Sequence, residues 1–406
     1  MAFNPFKEKG TPIEKQTLPW SELNIEPYDK NTIHPYTQTR IILMNGIEVE
    51  GIIFSHQFSR HTDDAELKGV LATSRRIEQQ QQKWINWLPP GDMSNIEVAI
   101  GYEQVAVDLT AWLAQTEPDP YVKQALDFAL LEDFDHLYRY SNLLQLLEGK
   151  EASKIVQEYT EITPGRPTIE EHRHPMDSMR KHYENDIADP LTKLHVMTIV
   201  AGEQQTMNLY MTIGNREQDP TARGLYAEIG MIEEQHVTQY AALADPRVSW
   251  FEMWLLHEYN ECYMYYSCME SETDQRVKKL WEMALSQEIE HLQIANRMMQ
   301  QHEKRDGSDL FPDGFPELTI FQSNIDYVRE VLAEQVDLTA SGMEFVPKRK
   351  APKRYEEYQK MVNGGEYVPS ELVIEQNIDK NGKDYRQELK GPNPVERLRQ
   401  KEMAVH

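Results

Sequence analysis

Cysteine, long apolar runs and positive charge are all scarce in this chain, and each shortage removes a class of protein. Only Cys262 and Cys268 occur in 406 residues, so there is neither a disulfide framework nor a Cys-x-x-Cys site. No run of about eighteen apolar residues appears, and residues 1–10 have no signal-peptide core. The expectation is a soluble, cytoplasmic protein with no membrane partner. Lys and Arg number 42 against 67 Asp and Glu, a formal net charge of −25. That balance argues against nucleic acid or an anionic membrane as partner. The basic run Lys348-Arg349-Lys350-Ala351-Pro352-Lys353-Arg354 is expected to dock on the protein's own acidic surface.

The acids that are present follow a rule. Three times a Glu is followed thirty residues later by an acid and three residues after that by a His: Glu103/Asp133/His136, Glu203/Glu233/His236 and Glu258/Glu288/His291. With roughly one acidic position in six, about one His in thirty-six would match by chance. Thirteen His then predict well under one match. The spacing belongs to an internal repeat. Residues 100–140 align without gaps on 200–240, pairing Leu109 with Leu209, Asp119-Pro120 with Asp219-Pro220 and Tyr140 with Tyr240. The third copy keeps Glu272 and Asp274 but has Gln275 where the others have Pro.

Along the chain, residues 1–38 read as an extended arm. Two apolar runs flank Asn45-Gly46 within residues 39–55, which predicts a small N-terminal β-hairpin with a tight turn. A helix is expected over 64–88, with Gln79–Gln82 on its surface. Helical hairpins are expected at 92–146, 191–244 and 249–305, together forming one bundle over 92–305. Capping boxes are expected at Thr168-Ile169-Glu170-Glu171 and Ser249-Trp250-Phe251-Glu252. His172-Arg173-His174 lies in a Pro-flanked loop and reads as surface. The aromatic and Met-rich stretch 250–269 reads as core. Residues 306–406 are expected to hold one more helix, at 323–339, and then an extended tail wrapping the body or a partner subunit.

The repeat has a geometric meaning. Folding at the Pro-Asp-Pro break places Glu103 and Asp133 each about fourteen residues from the turn, roughly 20 Å along their helices. They therefore lie level. An acid and a His three apart share a helical face, and that face is otherwise apolar. Charges on such a stripe are costly unless neutralised. Two hairpins supply four carboxylates and two imidazoles, which suits two divalent cations, and one His per metal suits iron or manganese. Asp133 is the one ligand with a short arm, and Glu132 beside it is an alternative.

On these residues the chain resembles the ferritin-like superfamily of di-iron and di-manganese carboxylate proteins, over about 95–305. The resemblance implies a mainly α, ferritin-like antiparallel helical bundle, here with a third hairpin. It also implies a long crossover between the two hairpins that share a site. The 67 residues from His136 to Glu203 allow one, and the 22 from His236 to Glu258 do not. The expected pair is therefore the first two hairpins. Glu258, Glu288 and His291 remain a possible additional metal set, which could compete for the first site, meet its copy across a homodimer, or form a hydrogen-bonded relict. Tyr140 and Tyr240, four residues after a ligand His, are candidates to tune the imidazoles or to pack as core aromatics.

The resemblance leaves the reaction open. The expectation is a di-iron oxidoreductase that activates dioxygen or peroxide, takes electrons from an external donor and acts on a small molecule. The alternatives are a dimanganese catalase, a ferroxidase or iron-handling protein, and a metal-free scaffold. No catalytic residue beyond the ligands is singled out.

Overall fold

The computed structural model describes residues 2–365 and 367–400. These residues are mainly helical, and among them eight long helices pair into four hairpins. They are α1 (Pro35–Arg60) with α2 (Ala65–Asn86), α3 (Asn95–Thr116) with α4 (Pro120–Glu148), α5 (Pro190–Ile213) with α6 (Pro220–Ala241), and α7 (Trp250–Ser271) with α8 (Gln275–Glu303). No described helix is long and apolar enough to cross a membrane.

The second helix of every hairpin starts in the same way. Asp64, Asp119, Asp219 and Asp274 are N-caps whose carboxylates accept from the backbone N–H groups two and three residues on. Each cap satisfies two donors that a helix start leaves orphaned. Pro120 and Pro220 occupy the first helical position, where a missing N–H costs nothing. The expected breaks near 118–120, 219–220 and 274 are therefore the turns observed.

The hairpins group by fours. α3–α4 packs on α5–α6, with α3 against α5 and α4 against α6; α1–α2 packs on α7–α8, with α1 against α7 and α2 against α8. The two quartets meet where α1 lies on α3 and α5. This corrects the expectation of one three-hairpin bundle: the third hairpin takes its complement from the N-terminal region.

The predicted β-hairpin at 39–55 is absent because those residues lie inside α1. Its apolar residues show no helical period because α1 is enclosed by α2, α3, α5 and α7, so Ile41, Ile42, Leu43, Met44 and Ile47 are all buried. Burying each such side chain contributes about 1.5–3 kcal/mol. Asn45-Gly46 is a helix crossing, not a turn. A Cβ at Gly46 would sit 2.8 Å from the Ala201 carbonyl oxygen, and the Asn45 amide donates to Gln205 Oε1 (2.8 Å).

Past Gly307 comes α9 (Ile325–Gln335), followed by an antiparallel pair, β1 (Leu338–Ser341) and β2 (Glu344–Pro347). The segment expected to be extended then forms two further helices, α10 (Lys353–Val362) and α11 (Pro369–Asn381). α11 packs on α4 and α6, so Ser370, Val373 and Asn377 become buried. Beyond it the chain does wrap the first quartet: Gln387 and Ile162 exchange both backbone hydrogen bonds. Residues 401–406 of the expected tail lie outside the described residues. The basic run docks on acids as expected, with Lys348 Nζ 2.6 Å from Glu170 and Arg354 Nε donating to Asp177 (2.8 Å).

Candidate metal centre

The six residues expected from the first two hairpins converge inside the first quartet. Glu103 comes from α3, Asp133 and His136 from α4, Glu203 from α5, and Glu233 and His236 from α6; none is more than 1% exposed. One donor atom each from Glu103, Asp133, His136 and Glu233 lies within 4.8 Å of the others, and so does one each from Asp133, Glu203, Glu233 and His236. Asp133 and Glu233 belong to both groups, the position of bridging ligands. Glu233 places Oε1 3.0 Å from His136 Nδ1 and Oε2 3.3 Å from His236 Nδ1. The short arm of Asp133 reaches the centre, with Oδ1 3.2 Å from His236 Nδ1.

Each imidazole is aimed by a carboxylate behind it. His136 Nε2 donates to Glu171 Oε2 (2.8 Å) and His236 Nε2 to Glu132 Oε2 (3.0 Å). With the outer nitrogen donating outward, Nδ1 of both rings faces the centre, where its lone pair becomes available once the inner proton has left. Glu132 is therefore not an alternative ligand. One helical step from Asp133, it turns aside and meets Arg173 in two parallel bonds (2.6 and 2.7 Å) and Arg166 in another (2.6 Å). Burial alone would raise the Glu132 carboxyl, but Arg173, His236 and Arg166 together hold it well below the usual carboxylate range.

The segment behind the site was misread in the sequence. His172 and Arg173 are buried rather than on the surface. His172 Nε2 lies 3.2 Å from Glu228 Oε1, and Arg173 neutralises Glu132. Thr168 makes no capping box: Pro167 holds the cap position, and the Thr168 hydroxyl donates to Asp135 (2.7 Å), freeing Glu171 for His136. The second expected box is half formed. Ser249 accepts from the Glu252 N–H, while the Glu252 carboxylate takes Asn185 and Arg305. A loop residue aimed at a ligand leaves no periodic signal, so only the acids and arginines of 166–173 hinted at this layer.

Tyr140 and Tyr240 pack as core aromatics whose hydroxyls have no partner. The Tyr240 ring is 6.4 Å from that of His236, and the Tyr140 ring 5.2 Å from that of Tyr210. The tyrosine that touches a ligand is Tyr210, whose hydroxyl donates to Glu103 Oε1 (2.5 Å). It lies two helical turns beyond Glu203, on the same face.

Without a cation the arrangement is frustrated. Burial pushes Glu103 and Glu203 well above the ordinary carboxyl range, helped by Glu233 and Asp133 respectively, and burial raises Asp133 as well. Burial would also raise Glu233, but the adjoining His136 and His236 imidazoles hold it low. Burial opposes charge on the imidazoles, yet Glu171 lifts His136 and Asp133 lifts His236 well above the ordinary value. Glu103 Oε2, both oxygens of Asp133, both of Glu203, Glu233 Oε2 and His236 Nδ1 are buried with no hydrogen-bond partner. Such orphans are expensive unless something absent from the protein itself satisfies them. Glu132 is offset by Arg166 and Arg173, and the four inner carboxylates, once deprotonated beside neutral imidazoles, carry four negative charges, which two divalent cations cancel.

Glu258, Glu288 and His291 also gather, with His291 Nδ1 2.9 Å from Glu288 Oε2 and 3.8 Å from Glu258 Oε2. They do so in the second quartet and do not compete for the first centre. Comparison with family models, curated proteins and solved structures returned no match.

Proposed function

We propose that this chain is a ferritin-like di-metal carboxylate oxidoreductase that activates dioxygen or peroxide in its first quartet. The observation that carries the reading is the set of unpartnered buried donor atoms where four carboxylates and two imidazoles converge. Glu103 and His136 would hold one ion and Glu203 and His236 the other, with Asp133 and Glu233 shared. Iron or manganese bound there supplies redox capacity that no side chain has.

The chain's own residues do the rest. Glu171 and Glu132 fix both imidazoles in one tautomer. Tyr210 keeps a proton on its hydroxyl 2.5 Å from Glu103 Oε1 and leaves Oε2 free. All six ligands are enclosed, which excludes water and favours a reactant the size of dioxygen or hydrogen peroxide over a bulky organic molecule. Electrons for dioxygen chemistry would come from an external donor. The same enclosure supports a second reading, a dimanganese catalase, which needs no donor.

Metal content per chain and the optical spectrum test the proposal. The native protein should hold iron or manganese in stoichiometric amount, and Glu233→Ala should empty the first centre. Native protein purified and reloaded with either metal yet holding none would end the reading. Peroxide disproportionation without added reductant, measured on manganese-loaded protein, decides between the two reactions.

A further inference from the structure

The repeat has a fourth copy. Glu48, Asp64, Glu78 and Gln81 stand at the spacing of Glu103, Asp119, Asp133 and His136, with Asp64 again capping the second helix and Gln81 where the other copies have His. This copy is the α1–α2 hairpin, and it faces α7–α8. The second quartet therefore repeats the geometry of the first, one imidazole short.

Its interior is not an inert acid patch. Glu48, Glu78, Glu258, Glu261 and Glu288 are each no more than 3% exposed, and His291 is fully buried among them. Glu48 Oε2, Glu78 Oε2, Gln81 Oε1, Glu258 Oε2 and Glu261 Oε2 have no hydrogen-bond partner. Donor atoms of Glu78, Glu258 and His291 lie within 4.8 Å of one another, as do those of Glu258, Glu261 and Glu288. Glu258 belongs to both groups, as Asp133 and Glu233 do in the first quartet.

Three details show how the site is built. The Gln16 amide donates to the Thr11 carbonyl (2.7 Å), which leaves its Oε1 to accept from His291 Nε2 (2.8 Å). The His291 Nδ1 lone pair then faces Glu288 Oε2 at 2.9 Å, a contact that calls for a cation or a proton. The Gln81 amide donates to Glu288 Oε1, so its free atom is the oxygen, a hard donor. And Gly51 makes room for Glu261, since a Cβ there would lie 2.5 Å from its Oε1.

We propose that the second quartet holds a second divalent-cation centre with two unequal positions, one formed by Glu78, Glu258 and His291 and the other by Glu258, Glu261 and Glu288. The first position has one nitrogen donor and suits manganese or iron; the second has only oxygen donors and suits a harder ion such as manganese or magnesium. The centre stands independently of whatever reaction the first one performs.

Manganese(II) is the probe, because it suits all four positions. Full-length protein stripped of metal is dialysed against Mn(II), and bound metal is counted by elemental analysis beside a circular-dichroism check of folding. The native chain should bind about four ions and Glu233→Gln should keep about two, while Glu258→Gln should fall to about two. Glu261→Gln, a milder change, should lose only the all-oxygen ion. A native chain that binds two ions, with Glu258→Gln or Glu261→Gln still binding both, overturns the second centre and leaves the first intact. Loss of all metal in Glu233→Gln overturns it as well. Two ions retained in Glu233→Gln and removed by Glu258→Gln, with no others in the native chain, sinks the first-centre reading instead.

Discussion

The two quartets use one helical template and surround their clusters differently. In the first, two imidazoles face four inner carboxylates, and carboxylates stand behind them: Glu171, and Glu132 with Arg166 and Arg173 bound to it. In the second, one imidazole faces five carboxylates, and the group behind it is the neutral amide of Gln16. A carboxylate behind a His raises its basicity and fixes it more firmly than an amide does. Helix spacing therefore sets where the inner side chains meet, whereas Glu132 and the loop over 163–173 set what stands behind the imidazoles.

The largest expected contrast comes from removing the residue behind one imidazole in each quartet. Glu132→Ala leaves Arg166 and Arg173 buried without the carboxylate they share, and should destabilise the protein by about 3–5 kcal/mol. Gln16→Ala breaks the amide's hydrogen bonds to Thr11, Gln287 and His291, each worth about 1 kcal/mol, but strands no buried ion pair, so its loss should be the smaller. Chemical denaturation of both variants measures the difference, and equal losses would erase the distinction between the quartets.

Glu171→Gln probes the same contrast more gently. It keeps an acceptor for His136 Nε2 but removes the charge, making the first quartet resemble the second. Metal affinity at the first centre should fall about 10- to 100-fold, read by competition with a chelator, while the second quartet's share is unchanged. An unaltered affinity would mean that the outer charge has no role.

The mildest effect is on pH dependence. In the metal-free first centre, His136 and His236 titrate well above the ordinary imidazole value, and Glu103 and Glu203 well above the ordinary carboxyl value. These groups hold protons near neutrality that bound cations must displace. Affinity should therefore rise with pH, and adding Mn(II) to weakly buffered apo-protein should acidify the solution. Binding that is flat between pH 6 and 8 would contradict the shifts.

The sequence revealed the parts of this molecule that obey a period. The six ligands of the first centre, the three hairpins and their Asp-capped turns all follow from repeat spacing and helical geometry. What escaped did so for identifiable reasons. α1 is buried on every side, so its apolar residues lose the one-sided stripe that marks a helix, and Asn45-Gly46 imitated a turn. The fourth copy was hidden by Gln81, which lies buried in a glutamine run that reads as helix surface. Arg173, Glu171 and Thr168 act from a loop, where no spacing announces a role. The third acid and His set is legible, but its complement is not, because the first helix of that complement, α1, reads as a pair of strands.

The order of hairpins along the chain bears on how the protein is made. α1–α2 leaves the ribosome first, but its partner α7–α8 follows only after residues 87–249. At about 5–20 residues per second, that is a wait of roughly 8 to 30 s. During it α1 can lie against α3 and α5, which emerge sooner. Synthesis thus completes the helices of the first quartet before those of the second.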